Sequence, residues 1–344
     1  MKILIVNNAS PFIYGGAEFL EDSLQKKLEE YGHSVQLIKI PFSWSTPEAV
    51  LDQILAMRLI KIENADRVIA LKFPAYFIPH NNKVLWLIHQ FRQVYDLWGT
   101  EYGSFPDDKS GKTTRDQIRH ADDIYIPESK KIYAISKVTS DRLKKYNNIQ
   151  SEILNPPLID ERLYRFQSYG DYIYYPSRIN NSKRQWLAVE AMQYTKSGVK
   201  LLITGSPDTK DDLIKLRKSV EKKGVGEKVQ IIDHYISQKE KAKYYSECLA
   251  CAYLPYDEDY GYVTLEAFQC RKSVITLTDS GGTHDLVENG KNGYIVNPNP
   301  EDIAQKFDHL FENKLVTREM GNAAFNTIEE KQIRWAKVIN KLTE

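Results

Sequence analysis

The chain carries only three cysteines in 344 residues. An odd, sparse set builds no disulfide framework and fits a reducing compartment. No apolar run approaches the roughly 18 residues that span a bilayer. Met1-Lys2 followed by Ile3 to Val6 offers four apolar residues, too few for the apolar core of a signal peptide. Neither sign of charge dominates: 47 Lys and Arg against 46 Asp and Glu leave +1, so no global field calls for nucleic acid as the partner. No G-x-G-x-x-G follows the first apolar run, where Asn7 to Gly16 holds only Gly15-Gly16, and this disfavours a dinucleotide-dependent dehydrogenase. Low-complexity tracts and short-period repeats are also missing. What is left is a cytoplasmic α/β protein, long enough for about two domains.

The patterns present agree with that class. Ile3–Val6 reads as a strand, and the helix after it places Leu20, Leu24 and Leu28 on one face before Gly32 stops it. Short apolar runs at 35–40, 67–71, 84–88, 131–136 and 152–154 alternate with helical stretches. Asn155-Pro156-Pro157 interrupts the pattern, and it then restarts with strands at 171–175, 199–204, 229–232, 250–255 and 273–277. Strands alternating with helices predict parallel, helix-covered sheets. The expected fold is α/β: two doubly wound Rossmann-like domains facing a cleft. The expected division is 1–160, 161–325, and a terminal helix at 326–344 crossing back to the first domain.

The densest chemistry lies in Leu254 to Phe268, LPYDEDYGYVTLEAF. Glu258 falls at the carboxyl end of a strand and Glu266 on the helix opened by Gly261, in the crevice where open α/β sheets bind ligands. Spacing alone means little, because Glu21 and Glu29 show the same interval and read as solvated charges. A helix start at Gly261-Tyr262-Val263 holds an anion through its free N–H groups. A carboxylate accepts from two vicinal hydroxyls. Arg178 and Lys183, at the end of the preceding strand and the start of its helix, offer positive charge to the same crevice. Together these describe a nucleotide sugar, with a diphosphate between two polyols.

The chain here resembles the GT-B glycosyltransferases of the family 4, retaining kind. The resemblance rests on Gly15-Gly16-Ala17-Glu18, on Arg178 with Lys183, and on Glu258-x7-Glu266. It continues through Ser280-Gly281-Gly282 with Asp285-Leu286-Val287, Asn289-Gly290, Asn292-Gly293-Tyr294, Met320-Gly321-Asn322-Ala323 and Trp335. It implies that Glu266 binds the ribose and that Glu258 holds and orients the donor sugar. It also implies that Arg178, Lys183 and the N–H groups at Gly261, Tyr262, Val263 and near Gly16 cradle the diphosphate. His89 would stand beside the reacting carbon and Tyr235 near the base. His234, where many members have glycine, puts base recognition and donor identity apart from the pattern. The implied reaction moves a hexose, from a UDP-sugar or GDP-mannose, to a sugar, glycan or lipid-linked acceptor in surface polysaccharide or glycolipid assembly. It retains configuration and requires neither cofactor nor metal.

Other readings are weaker on their residues. Ser110-Gly111-Lys112-Thr113 lacks the first glycine of a P-loop, since Pro106 stands there, and reads as a mobile loop. Asp257-Glu258-Asp259 resembles a metal-binding acidic triplet but has cations nearby instead. Cys248-x2-Cys251 has no second pair and reads as buried thiols. For the acceptor, Tyr95 and Trp98 offer stacking faces and Arg92 and Asp96 hydrogen bonds, although the aromatics equally suit loop anchors. The basic stretch from Lys109 to Arg119 suggests contact with an anionic lipid carrier or the inner membrane face. A nucleotide-sugar epimerase and a non-catalytic nucleotide-sugar-binding protein are the alternative functions.

Overall fold

A computed structural model describes residues 1–10, 15–103 and 105–344. Residues 11–14 and 104 lie outside the described residues. The chain forms two compact units, Met1–Pro157 with Arg334–Glu344, and Leu158–Ile333.

In the first unit the strands are β1 (Lys2–Ala9), β2 (Ser34–Pro41), β3 (Arg67–Ala70), β4 (Lys83–Leu87), β5 (Lys131–Ala134) and β6 (Glu152–Ile153). They pair in parallel in the order β2-β1-β3-β4-β5-β6. Helices α1 (Gly16–Glu30), α2 (Pro47–Leu59), α3 (Lys109–Tyr125) and α4 (Lys137–Asn147) cover the sheet. On α1 the four-residue spacing of Leu20, Leu24 and Leu28 puts all three in the core. Each such side chain contributes about 1.5–3 kcal/mol by burial. Pro47 at the first turn and the Thr46 hydroxyl, which accepts from the Ala49 N–H, start α2.

Two expectations are corrected in this unit. The stretch from Lys109 to Arg119, expected as a mobile basic loop, is the first part of α3. Asp108 caps it by accepting from Gly111 N at 2.8 Å, and Thr114, Ile118 and Asp122 fall four apart on its buried side. Glu21, expected as a solvated charge, is fully buried and bonded to Asn7 and Lys39.

The second unit contains β7 (Tyr172–Pro176), α5 (Gln185–Ala191), β8 (Lys200–Thr204), α6 (Lys210–Lys223), β9 (Val229–Ile232) and α7 (Gln238–Glu247). It continues with β10 (Ala250–Ala252), α8 (Tyr262–Gln269), β11 (Val274–Leu277), β12 (Gly293–Val296), α9 (Pro300–Glu312) and α10 (Lys314–Glu330). Its parallel sheet runs β12-β11-β10-β7-β8-β9. The chain builds outward from β7 on one side and from β10 on the other. The topological switch point is therefore between β7 and β10, where an open sheet opens a crevice at its carboxyl edge.

The last helix, α11 (Trp335–Thr343), packs on the first sheet. Trp335 meets Trp86 edge to face at 6.4 Å, and Arg67 Nη1 donates to Leu342 O at 2.8 Å. The helical stretch expected at 326–344 is thus two pieces, the end of α10 and the separate α11. Among the described residues no helix is long and apolar enough to cross a membrane.

Candidate active site

Two chain segments meet at the switch point of the second sheet. After β7, Asn180 accepts from the Lys183 N–H at 3.0 Å and folds residues 181–183 into a tight turn; Arg184 then adopts a left-handed φ of 51°. After β10, residues 253–261 lead into α8. The buried Tyr175 hydroxyl ties the segments together by donating to Lys183 O and accepting from Leu254 N at 2.9 Å. Arg184, 5% exposed, adds Nε to Leu254 O at 2.7 Å, Nη2 to Pro255 O at 2.6 Å and a fork on Asp279 at 2.7 and 2.8 Å.

The Ser280-Gly281-Gly282 loop clamps the same segment from its other side. Glu258 N donates to Ser280 O at 3.2 Å, and Gly282 N donates to Glu258 O at 2.7 Å. A Cβ on Gly282 would lie 2.3 Å from Asp259 O, so the glycine allows this approach.

The result is a charged pair at the crevice. Lys183 Nζ donates to Glu258 Oε2, and the Tyr253 hydroxyl donates to the same oxygen at 2.8 Å. Oε1 has no partner among the described residues. Both side chains are about four-fifths buried, Lys183 at 18% and Glu258 at 21% exposure. Burial pushes the Glu258 carboxyl up, but Lys183 and the Tyr253 hydroxyl outweigh it and hold it below the usual carboxylate range. Gly261 packs its α-carbon against the Tyr253 ring, so the start of α8 stands beside this pair. No side chain caps that helix start.

One turn and a half along α8, Glu266 sits in a different setting. Its carboxylate is 4% exposed and accepts from Tyr164 Oη at 2.8 Å and Lys241 Nζ at 2.5 Å on Oε1, and from Tyr245 Oη at 2.7 Å on Oε2. Three of its roughly four lone-pair directions are occupied, leaving one on Oε2.

Residues 164–327 match the family described as glycosyl transferases group 1. The second unit carries a glycosyl transferases group 1 domain. Over 128 residues the chain is 27% identical to the alpha-1,3/1,6-mannosyltransferase ALG2 of Dictyostelium discoideum, a match covering 37% of this chain and only 30% of that relative's length. Among solved structures, HepE of Anabaena in complex with UDP and glucose superposes with a TM-score of 0.75 at 16% identity, covering 99% of this chain and 98% of that one. A sucrose-phosphate synthase from Thermosynechococcus elongatus gives 0.78 at 15%, covering 99% and 97%. The fold is that of the GT-B glycosyltransferases.

Within the glycosyl transferase domain, Lys183, Glu258, Gly261, Tyr262 and Val263 gather at one place as expected from the sequence. Arg178 does not join them in a direct contact: it is 48% exposed and its Nη1 pairs with Asp208 at 2.9 Å, beside Asn180. Tyr235 is 77% exposed. Cys248 and Cys251 are free buried thiols 3.8 Å apart.

The remaining expected residues lie in the first unit. Gly16 is the first residue of α1, and Glu18 closes that end by accepting from Gly15 N at 2.9 Å while pairing with Lys72 at 3.3 Å. His89, half-buried after β4, places Nδ1 2.6 Å from Gln90 O.

The expected acceptor platform is corrected in part. Tyr95 is 4% exposed and donates to buried Asp122 at 2.7 Å, so its ring belongs to the core. Trp98 has Arg115 stacked 4.8 Å from its centroid, and Arg92 pairs with Asp96 at 2.5 Å.

Sequence reasoning missed Tyr164, Tyr175, Tyr245, Tyr253, Lys241 and Arg184. Their partners lie up to about a hundred residues away in the chain, and no local spacing reports such contacts. Arg184 was nearest to discovery, one residue after Lys183.

Proposed function

We propose that the protein is a retaining, metal-independent hexosyltransferase that takes a hexose from a nucleotide sugar and delivers it to a sugar, glycan or lipid-linked acceptor. A UDP-sugar is the favoured donor, in keeping with the UDP-bound neighbour, and the mannosyltransferase relative supports a GDP-mannose arm in the test. The observation that carries this reading is the Lys183–Glu258 pair beside the uncapped start of α8 at the switch point of the sheet.

In this reading the diphosphate lies against the first N–H groups of α8 and draws Lys183 toward it, with Arg178 assisting. Glu258 Oε1 accepts from hydroxyls of the transferred sugar. Glu266, held by two tyrosines and a lysine, offers its remaining lone pair to the ribose. As the bond from the anomeric carbon to the phosphate oxygen breaks, charge grows on the diphosphate, where fixed positive groups act most strongly. The acceptor oxygen bonds to the same face of the anomeric carbon, and its proton passes to the departing phosphate. His89 and the Gly16 helix start are assigned to the sugar and phosphate ends on the family pattern. We place the enzyme at the cytoplasmic face of the membrane, in surface polysaccharide or glycolipid assembly.

The test is calorimetric binding of UDP-glucose, UDP-galactose, UDP-GlcNAc and GDP-mannose to the full chain, followed by transfer assays with the donor that binds. Glu258→Gln should cut transfer far more than nucleoside diphosphate affinity, and EDTA should leave transfer intact. Absence of binding by all four donors would refute the reading.

A further inference from the structure

A cavity of about 540 Å3 lies at the far end of α8 from the Lys183–Glu258 pair, with Arg162, Arg165 and Arg271 in its wall. Phe166, Phe325 and Tyr164 supply its aromatic surface. Among the described residues none of the three arginines has a carboxylate within ion-pair distance, and Glu161 is the one acid in the lining. By contrast, Arg58 pairs with Glu128, Arg178 with Asp208, Arg184 with Asp279 and Arg217 with Asp233.

Local structure accounts for one of the three. Arg271 sits just past the C-terminus of α8, where the helix dipole favours a cation. It is held there by Asn322 at 3.0 Å and by the Phe325 ring, 4.1 Å below its guanidinium. Arg165 spends one N–H on Arg162 O at 3.0 Å, and the Arg162 guanidinium bonds nothing in the described chain. Each guanidinium has five N–H donors in a planar fork suited to phosphate oxygens, and most of them here are unspent. Phe166 is 41% exposed, an apolar face beside that charge.

We propose that this cavity is a second anion site of the domain, taking a phosphate-bearing ligand whose organic part packs on Phe166. Three cations against one acid suit the double charge of a phosphate monoester better than a single carboxylate. The volume exceeds that of bare phosphate and admits a group of glycerol or sugar size. Tyr164 is a wall of the cavity and, through its hydroxyl, a holder of Glu266. The site is separate from the donor site and does not depend on which donor is used.

The experiment titrates the full chain with glycerol 1-phosphate by calorimetry and, in a second arm, sediments it with phosphatidylcholine vesicles containing phosphatidylglycerol. Arg162→Ala/Arg165→Ala should weaken binding about tenfold or more, while Lys183→Met leaves it unchanged. This pair avoids Arg271, whose replacement would also disturb the end of α8. Binding of glycerol 1-phosphate assigns a soluble ligand, and binding of the vesicles alone, lost in the double variant, assigns a lipid headgroup. No binding in either arm overturns the proposal. So does binding that survives the arginine changes, or that is lost with Lys183→Met. Failure of nucleotide-sugar binding would leave this result untouched, so the two readings fail separately.

Discussion

Gly261→Ala should damage the second unit in two ways whose sizes follow from the structure. Gly261 has φ of 83°, in the left-handed region. An L-residue there costs about 1–2 kcal/mol. The new Cβ would also stand 2.8 Å from Tyr253 Cε1 and 3.4 Å from Thr283 Cγ2. The first separation is shorter than real carbon contacts allow, and Tyr253 is 3% exposed with little room to retreat. Overpacking of this kind costs about 1–3 kcal/mol. The sum, about 2–5 kcal/mol, should appear as a lower urea midpoint with an unchanged slope. For a unit of this size it should lower Tm by at least about 4 °C.

The same substitution carries a signature beyond stability. Relief of the clash must tilt the Tyr253 ring, and its hydroxyl bonds Glu258 Oε2 while touching Lys183 Nζ at 3.3 Å. Donor affinity and transfer should therefore fall even in the fraction that remains folded. Tyr253→Phe removes the hydroxyl without the clash and should reproduce part of the functional loss with a smaller stability cost. Stability within about 0.5 kcal/mol of wild type, together with unaltered donor affinity, would refute the geometry argued here.

Arg184→Ala should cost about 3–5 kcal/mol in urea unfolding, because it leaves buried carbonyls and Asp279 without their fork; Arg184→Lys should recover little of this. Tyr164→Phe removes one of three donors to Glu266 and should weaken nucleoside diphosphate binding severalfold in calorimetry, with Tyr245→Phe acting in the same direction. Asp122 is fully buried, and burial raises its carboxyl to about 7 despite bonds from Tyr76, Tyr95 and Gln90. Its folded value lies above the unfolded one near 3.8, so the native state binds the extra proton and stability falls as pH rises between about 4 and 7. Asp122→Asn should flatten that part of the profile by up to about 4 kcal/mol, read as urea midpoints at pH 4.5 and 7.5.

The parallel sheets were legible because central strands such as β3, β4 and β11 are short, mainly apolar runs buried on both faces, and the helices between strands repeat at 3.6 residues. Val274–Leu277 is wholly buried, and the sequence shows it as an apolar stretch interrupted only by Thr276. The start of α3 was not legible in the same way. Lys109, Lys112, Arg115 and Arg119 dominate its composition, while its buried side is made of Thr114, Ile118 and Asp122, only one of them apolar. Lys183 and Glu258 could be placed in one crevice from strand ends alone. Their direct pairing could not, since it depends on Tyr175, Arg184 and the Gly281-Gly282 clamp acting across the sheet. Glu21 was misjudged for a related reason. Its helical face is inward, and only tertiary contact with Asn7 and Lys39 makes a buried carboxylate tolerable there.

Both cations assigned to the diphosphate are bound to a carboxylate in this structure: Lys183 to Glu258 and Arg178 to Asp208. A mostly buried charge without a partner is costly, so the Lys183–Glu258 pair stabilises the two side chains that form it. The same pair constrains how a donor is held in the proposed reading. A diphosphate that draws Lys183 away leaves Glu258 as an uncompensated carboxylate close to more negative charge, which is unfavourable on both counts. Sugar hydroxyls donating to Glu258 remove that penalty, because they satisfy the carboxylate with neutral groups. The intact donor can thus break the Lys183–Glu258 pair at lower cost than nucleoside diphosphate alone. On the proposed function, Glu258 would lose its hydroxyl donors once the sugar had left with the acceptor and would compete again for Lys183. Re-formation of the pair would then weaken the hold on the product, and a single lysine–glutamate contact would link sugar transfer to nucleotide release.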